Sequence, residues 1–96
     1  MKIIQFDGKA YAVAESVSNF VVFRKPSSNV EFFGHDKEHD LMFFQFKHGA
    51  YLYTGVPAEV AEKAETSESI GKFFASEIKG KYECVKADGK LVREEE

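Results

Sequence analysis

The sequence predicts a small α+β domain in which two short helices pack on one face of a small antiparallel sheet. Two observations support this class. Segments with a β-strand pattern fill the first half of the chain, and a helical period takes over after Pro57. A closing strand follows the helices, and strands grouped before helices are typical of α+β folds. Helices on one face would leave the opposite face of the sheet partly open.

Length and aromatic content indicate how such a domain is filled. The chain has 96 residues, enough for one compact domain and too few for two. It contains ten Phe and four Tyr but no Trp. We therefore expect one modest core that is built from large rings.

The first predicted element is a β-hairpin. Lys2–Phe6 and Lys9–Val13 flank Asp7-Gly8, which favours the positive φ angles of a two-residue type I′ turn. The β-branched and aromatic segment 18–24 reads as the next strand. We assign residues 1–26 to this hairpin and strand, and expect both to extend the sheet.

The middle of the chain predicts an antiparallel meander of three strands. Residues 29–34 show weak alternation, 41–47 are strongly apolar, and 50–54 contain two tyrosines. The polar segment 36–40 and the turn at His48-Gly49 connect these strands.

Two helices are expected after the meander. Pro57 suits the first residue of a helix, where the missing N–H costs nothing. A second helix begins after a cap at Ser67 or Ser69 and ends near Gly80. The apolar residues of the second helix recur at helical spacing, and we expect them in the core: Ile70, Phe73, Phe74 and Ile78.

The C-terminal part predicts one further strand and a short return. Residues 82–86 alternate like a strand, 87–89 form a turn, and 90–92 return. Residues 87–96 are assigned to this turn and an acidic tail, whose last three glutamates are expected to fray. The whole chain is expected to be one globular domain.

Charge and cysteine usage restrict the partner and the compartment. The net charge is −3, which argues against nucleic-acid binding, but residues 71–93 carry a net charge of +3. A locally basic segment permits an anionic partner without requiring one. The single cysteine excludes an intrachain disulfide. The first residues are too soon polar for a signal peptide, so we expect none, and no apolar run is long enough to span a membrane. We expect a cytoplasmic protein that does not bind membranes.

The two tyrosines of the meander are the main candidate for a binding site. Tyr51 and Tyr53 lie two residues apart and therefore point to the same face of a strand. They form either a platform on which bases stack or part of the core beneath the helices, and the spacing fits both. Four basic residues are candidates for phosphate contacts beside them: Lys47, Lys72, Lys79 and Lys81.

Other reactive residue types have simpler explanations. His35 and His39 have a metal-ligand spacing only on a helix, and here they flank a hairpin tip. Ser27-Ser28 is explained by turn hydrogen bonding, and Cys84 by a buried structural thiol. Ser69-x-Gly71 favours helix capping over anion binding. We expect no catalytic residues, no cofactor and no metal.

Several residues in a fixed order resemble the KTSC domain, a short module found at the C-terminus of some lysyl-tRNA synthetases and as a stand-alone protein. The resemblance covers residues 27–86 and centres on a Tyr-x-Tyr pair. It departs from the family pattern at His35, where Tyr is usual, and at Ser67, where Ala is usual. The residues that carry it are Ser27-Ser28-Asn29-Val30, Gly34, Tyr51-Leu52-Tyr53, Val56-Pro57, Ser69-x-Gly71, Phe73-Phe74, Ile78 and Tyr82.

The resemblance implies a binding module, with RNA suggested by its occurrence in synthetases. Our leading hypothesis is therefore non-catalytic binding of RNA or single-stranded nucleic acid through the aromatic strand and the basic C-terminal third. The alternative is a protein-interaction or inhibitor module, such as an accessory protein of a phage or mobile element. Acidic net charge and sheet edges open to strand addition motivate this alternative.

Overall fold

The computed structural model describes residues 2–25 and 29–95, and it confirms the α+β class. Two antiparallel sheets of three and five strands are combined with two short helices. The strands are β1 (Lys2–Phe6), β2 (Lys9–Val13), β3 (Val21–Phe23), β4 (Val30–Asp36), β5 (Leu41–Phe46), β6 (Gly49–Thr54), β7 (Glu83–Lys86) and β8 (Val92–Glu94). The predicted turn role of Ser27-Ser28 lies outside the described residues.

The larger sheet follows the chain from β3 to β7 without a crossover. The predicted meander is present as β4, β5 and β6, and β3 and β7 extend it on either side. The register pairs Phe44 with Tyr51 and Met42 with Tyr53, so both tyrosines lie on one face as their spacing predicts. We call this five-stranded sheet the central sheet.

The N-terminal hairpin forms as expected but does not join the central sheet. Asp7 and Gly8 take positive φ angles of 52° and 78°, as a type I′ turn requires. The second strand of the hairpin then pairs with the C-terminal strand β8, with Val13 opposite Val92. Because pairing with β8 satisfies one edge of β2, the hairpin becomes part of a separate three-stranded sheet, which we call the terminal sheet.

One face of the central sheet is covered by the helices. Side chains of β5 and β6 pack there with the apolar residues of both helices. Phe44 and Met42 are fully buried in this layer, and Ala64 and Ile70 close it from the helix side. The helical spacing of apolar residues after Pro57 therefore identified the covering layer correctly.

The opposite face is covered by the terminal sheet, so the expectation of a partly open face is wrong. Phe43 and Ala50 of the central sheet are fully buried against Val13 and Val92 of the terminal sheet. The cause is the pairing of the two chain ends, which places an apolar strand pair over this face. The central sheet is therefore buried on both sides, as the continuous burial of Met42–Phe46 shows.

Gln45 connects the two sheets through its side-chain amide. Its Oε1 accepts hydrogen bonds from the backbone N–H groups of Leu91 and Val92, each at 2.8 Å, and its Nε2 donates to the carbonyl of Val92 at 2.8 Å. The same Nε2 lies 3.3 Å from a carboxylate oxygen of Glu31. A buried amide with all these partners costs little and fixes the position of β8.

A β-bulge at Glu31 explains the weak alternation of the fourth strand. Val30 pairs with Phe46, and Phe32 pairs with the adjacent Gln45, so Glu31 is an extra residue. Val30 therefore faces the helices while Phe32 faces the terminal sheet, although the two are separated by two positions.

The helices are α1 (Ala58–Thr66) and α2 (Ile70–Phe73), the latter continued by a π-helical turn at Phe74–Ile78. Pro57 is the cap residue of α1 with an extended ψ of 151°, one position earlier than predicted. Ser69 caps α2, where its hydroxyl accepts from the N–H of Lys72 at 3.3 Å.

The C-terminal segments differ from expectation in two respects. Cys84 is exposed, because β7 is an edge strand on which all four residues are exposed, so the predicted buried thiol is wrong. The glutamate tail is partly held, since Glu94 belongs to β8 and the N–H of Glu95 donates to the carbonyl of Ala10 at 2.8 Å. Glu96 lies outside the described residues.

In the described part of the chain, no helix combines the length and the apolar character that are needed to cross a lipid bilayer.

Candidate nucleic-acid interface

The two candidate tyrosines have unequal surroundings. Tyr53 is 6% exposed and makes an edge-on contact with Phe44 at a centroid distance of 5.9 Å. Tyr51 is half-buried and contacts Phe46 at 6.1 Å. Both rings lie on the helix-covered face, and Tyr51 is the more accessible of the two.

The environment of Tyr53 also changes its acidity. Burial raises the pKa of the Tyr53 phenol to about 12, and the neighbouring Cys84 and Tyr51 add to the shift. The phenol therefore stays neutral over the physiological range, which suits a core position.

A cavity of about 490 Å³ opens beside these tyrosines. Its walls come from the start of β4, the turn between β5 and β6, and the second helix with its π-helical turn. Phe46 and Phe74 form an apolar side, with their ring centroids 5.0 Å apart. We call this space the first cavity.

The rim of the first cavity carries an exposed aromatic ring that the sequence did not single out. His48 lies in the turn after β5 and stacks on Phe46 with a centroid distance of 5.5 Å and an interplanar angle of 12°. Tyr51 lies 6.1 Å from the same imidazole. The signal that would have found His48 is its position three residues before Tyr51, across a tight turn.

The charges at the first cavity are positive. Lys47 and Lys79 line it, and none of its described lining residues is acidic. This composition contrasts with the overall excess of 16 acidic over 13 basic residues. Lys72 and Lys81 are exposed but do not line the cavity, so the structure brings together two of the four predicted lysines.

The two histidines of the hairpin region contact different carboxylates. His35 is buried, and its Nε2 lies 2.9 Å from Glu65 on α1, while its Nδ1 has no partner in the described chain. His39 is exposed, and its Nδ1 lies 2.8 Å from Asp36. This contact raises the pKa of His39 and lowers that of Asp36. The two rings therefore contact different carboxylates and have separate environments.

Comparison with known proteins explains this arrangement of strands, Tyr-x-Tyr pair and helices. A family model of the KTSC domain matches residues 26–82. The chain belongs to the KTSC domain family. The crystal structure of a KTSC domain protein from Yersinia pestis is 32% identical, covers 71% of this chain and 97% of its own chain, and superposes with a TM-score of 0.67. A comparison with curated proteins finds no match.

The matched KTSC region contains β4, β5 and β6, both helices and every residue that lines the first cavity. The strands of the terminal sheet all lie outside it. This KTSC domain therefore carries an additional layer that is built from its two chain ends.

Proposed function

We propose that this protein is a non-catalytic module that binds RNA or single-stranded nucleic acid at the first cavity. The observation that carries the proposal is the combination of the exposed His48 ring, the half-buried Tyr51 ring and two lysines in a cavity without described acidic lining residues. Aromatic rings that stack on bases contribute about 1–3 kcal/mol per base in such proteins. Lysines at the rim supply phosphate contacts that do not depend on base sequence.

The burial of Tyr53 refines the aromatic platform that the sequence suggests. Stacking on Tyr51 and Tyr53 together needs both rings on an open face, and Tyr53 is 6% exposed. The proposed stacking pair is therefore His48 with Tyr51. A single base, or the end of a strand, suits a cavity of this size better than a run of bases across a flat sheet.

Fluorescence anisotropy with labelled tRNA and labelled single-stranded oligonucleotides tests this function. We expect binding that weakens with salt and that decreases strongly in His48→Ala and Lys47→Gln. Lys63→Gln is the matched control, because Lys63 is exposed on α1 and does not line the cavity. Absence of binding at tens of micromolar protein in low salt would contradict the proposal.

A second candidate function is recognition of a protein by strand addition at β7, as expected of an accessory protein of a phage or mobile element. The observation that favours it is the exposure of all four β7 residues, with Val85 64% exposed. Unpaired strand edges recruit extended segments through main-chain hydrogen bonds. Glu83 and Lys86 already place charges at the two ends of β7, and a further charge at Val85 should prevent this pairing.

Pull-down from a nuclease-treated lysate separates the two functions. Strand addition is supported if a partner protein co-purifies in stoichiometric amount with wild type but not with Val85→Lys. Loss of every partner on nuclease treatment, with oligonucleotide binding unchanged in Val85→Lys, supports the nucleic-acid function instead.

A further inference from the structure

A second cavity of about 600 Å³ lies where the terminal sheet meets the start of β4. Two carboxylates, Glu31 and Glu94, are among its lining residues. Five cations also line it: Arg24, Lys25, Lys47, Lys90 and Arg93. A concave surface with this excess of positive charge concentrates anions by focusing the electric field.

The origin of these cations separates the second cavity from the family site. Four of the five lie outside residues 26–82, and Lys47 is the exception. They are brought together because β8 pairs with the N-terminal hairpin and carries Arg93 to the cavity. The matched KTSC region alone does not contain this basic cavity.

The carboxylates of the cavity are already engaged by other groups. Glu31 pairs with Lys90 at 2.9 Å, and Glu94 lies 3.7 Å from Lys9. Lys47 and Arg93 have no carboxylate within ion-pair distance in residues 2–25 and 29–95. The charges of these two side chains are therefore available to an anionic ligand.

Arg24 is held in place before any ligand arrives. Its Nη1 donates to the hydroxyl of Tyr11 at 2.8 Å, and its guanidinium carbon lies 5.6 Å from the ring centroid of Phe32. The same Nη1 lies 3.7 Å from the exposed carboxylate of Asp7, which an anionic ligand would have to displace. Cation–π contacts of this kind orient the planar guanidinium. A fixed guanidinium loses little entropy on binding and matches the oxygens of a phosphate group.

The two cavities adjoin each other. Asn29, Val30 and Lys47 line both of them, so Lys47 stands at the boundary. A strand with a base in the first cavity would carry its neighbouring phosphates toward the second.

We propose that the second cavity is a phosphate-binding site, with Arg24, Lys47 and Arg93 as its principal ligands. This inference rests on the function proposed above. The second cavity holds the sugar-phosphate backbone of the strand whose base enters the first cavity. Free phosphorylated compounds present the same chemistry, and the experiment distinguishes the two sources.

The test titrates the full chain with inorganic pyrophosphate and, separately, with a short oligouridylate, monitoring backbone amide signals by NMR. We expect pyrophosphate to shift the amide signals of Arg24, Lys90 and Arg93, and oligouridylate to bind more tightly and shift those of the first cavity as well. Arg93→Gln should weaken both ligands several-fold and reduce the salt slope by about 0.7, the value for one single-strand phosphate contact. Lys63→Gln is the charge-matched control, and Arg93 is exposed, so its replacement preserves the fold.

The remaining outcomes are distinct. Pyrophosphate binding that is lost in Arg93→Gln, without tighter binding of oligouridylate, supports the phosphate site with a free phosphorylated ligand and contradicts the nucleic-acid function. A different result would overturn the phosphate site and preserve the nucleic-acid function. In that case Arg24→Gln and Arg93→Gln would bind oligouridylate with the same affinity as the control Lys63→Gln. Absence of binding by either ligand overturns both.

Discussion

The helix-covered and terminal-sheet-covered faces of the central sheet bury similar aromatic side chains but obtain their covers from different parts of the chain. The helices directly follow the meander, so the cover is local in sequence. The terminal sheet joins β2 to β8, whose paired residues Val13 and Val92 come from opposite ends of the chain. Local covers are visible as sequence periodicity, whereas a cover made by distant strands is visible only as pairing in the structure.

Removing a core ring from either face should cause the largest loss of stability. Phe44 and Phe43 are both fully buried, on the helix side and the terminal-sheet side respectively. Each change to Ala should lower the free energy of unfolding by about 3–5 kcal/mol, since the transfer and cavity costs act together. Urea denaturation followed by circular dichroism measures both.

The same experiment tests whether the two faces unfold together. The shared central sheet leads us to expect a single transition for Phe43→Ala and for Phe44→Ala. Two separate transitions in Phe43→Ala would show that the terminal sheet unfolds as an independent unit.

A smaller and more local effect is expected at Gln45. Gln45→Met keeps the side-chain volume but leaves the N–H groups of Leu91 and Val92 without their acceptor. Unsatisfied buried groups should lower the free energy of unfolding by about 2–3 kcal/mol. Hydrogen exchange should accelerate in β8 and β2 more than in β5 and β6. Gln5→Met, on an exposed position of β1, is the control and should change neither quantity.

The smallest expected effect concerns Tyr53 at high pH. Its folded pKa of about 12 exceeds the unfolded value of about 10, so the unfolded chain loses its proton first as pH rises. The stabilising contribution is complete below pH 10 and should fall by on the order of 2 kcal/mol between pH 10 and 12. Denaturation curves of wild type should show this loss, and those of Tyr53→Phe should lack it.

Tyr51→Phe is the matched variant for this comparison, because it removes the other hydroxyl of the pair. It should retain most of the pH dependence of wild type, because burial is the largest cause of the raised Tyr53 pKa and Tyr51 adds only to it. An equal change in both variants would contradict the assignment of Tyr53 to the core.

The parts of the fold that the sequence predicted correctly depend on short-range chemistry. Asp7-Gly8 specified its turn, the meander followed from apolar runs, and Ser69 proved to be a cap. The shared face of Tyr51 and Tyr53 followed from strand period alone. Each of these signals lies within a few residues of the feature that it specifies.

The features that the sequence did not predict depend on contacts between residues that are distant in sequence. Cys84 alternates like a buried strand residue, and only the edge position of β7 exposes it. The bulge at Glu31 contains no glycine that would have indicated it in the sequence. The second cavity gathers Arg24, Lys47 and Arg93 from three separate segments. No periodic pattern in the sequence indicates that these three positions lie close together.

The pairing of β2 with β8 has a consequence for how the protein is made. An isolated two-stranded hairpin is marginally stable in water. The partner strand of β2 is β8, which lies about 80 residues further along the chain. At about 5–20 residues per second, translation leaves Tyr11 and Val13 without their cover for several seconds. During that interval the apolar side chains of β2 lack the strand that completes the terminal sheet.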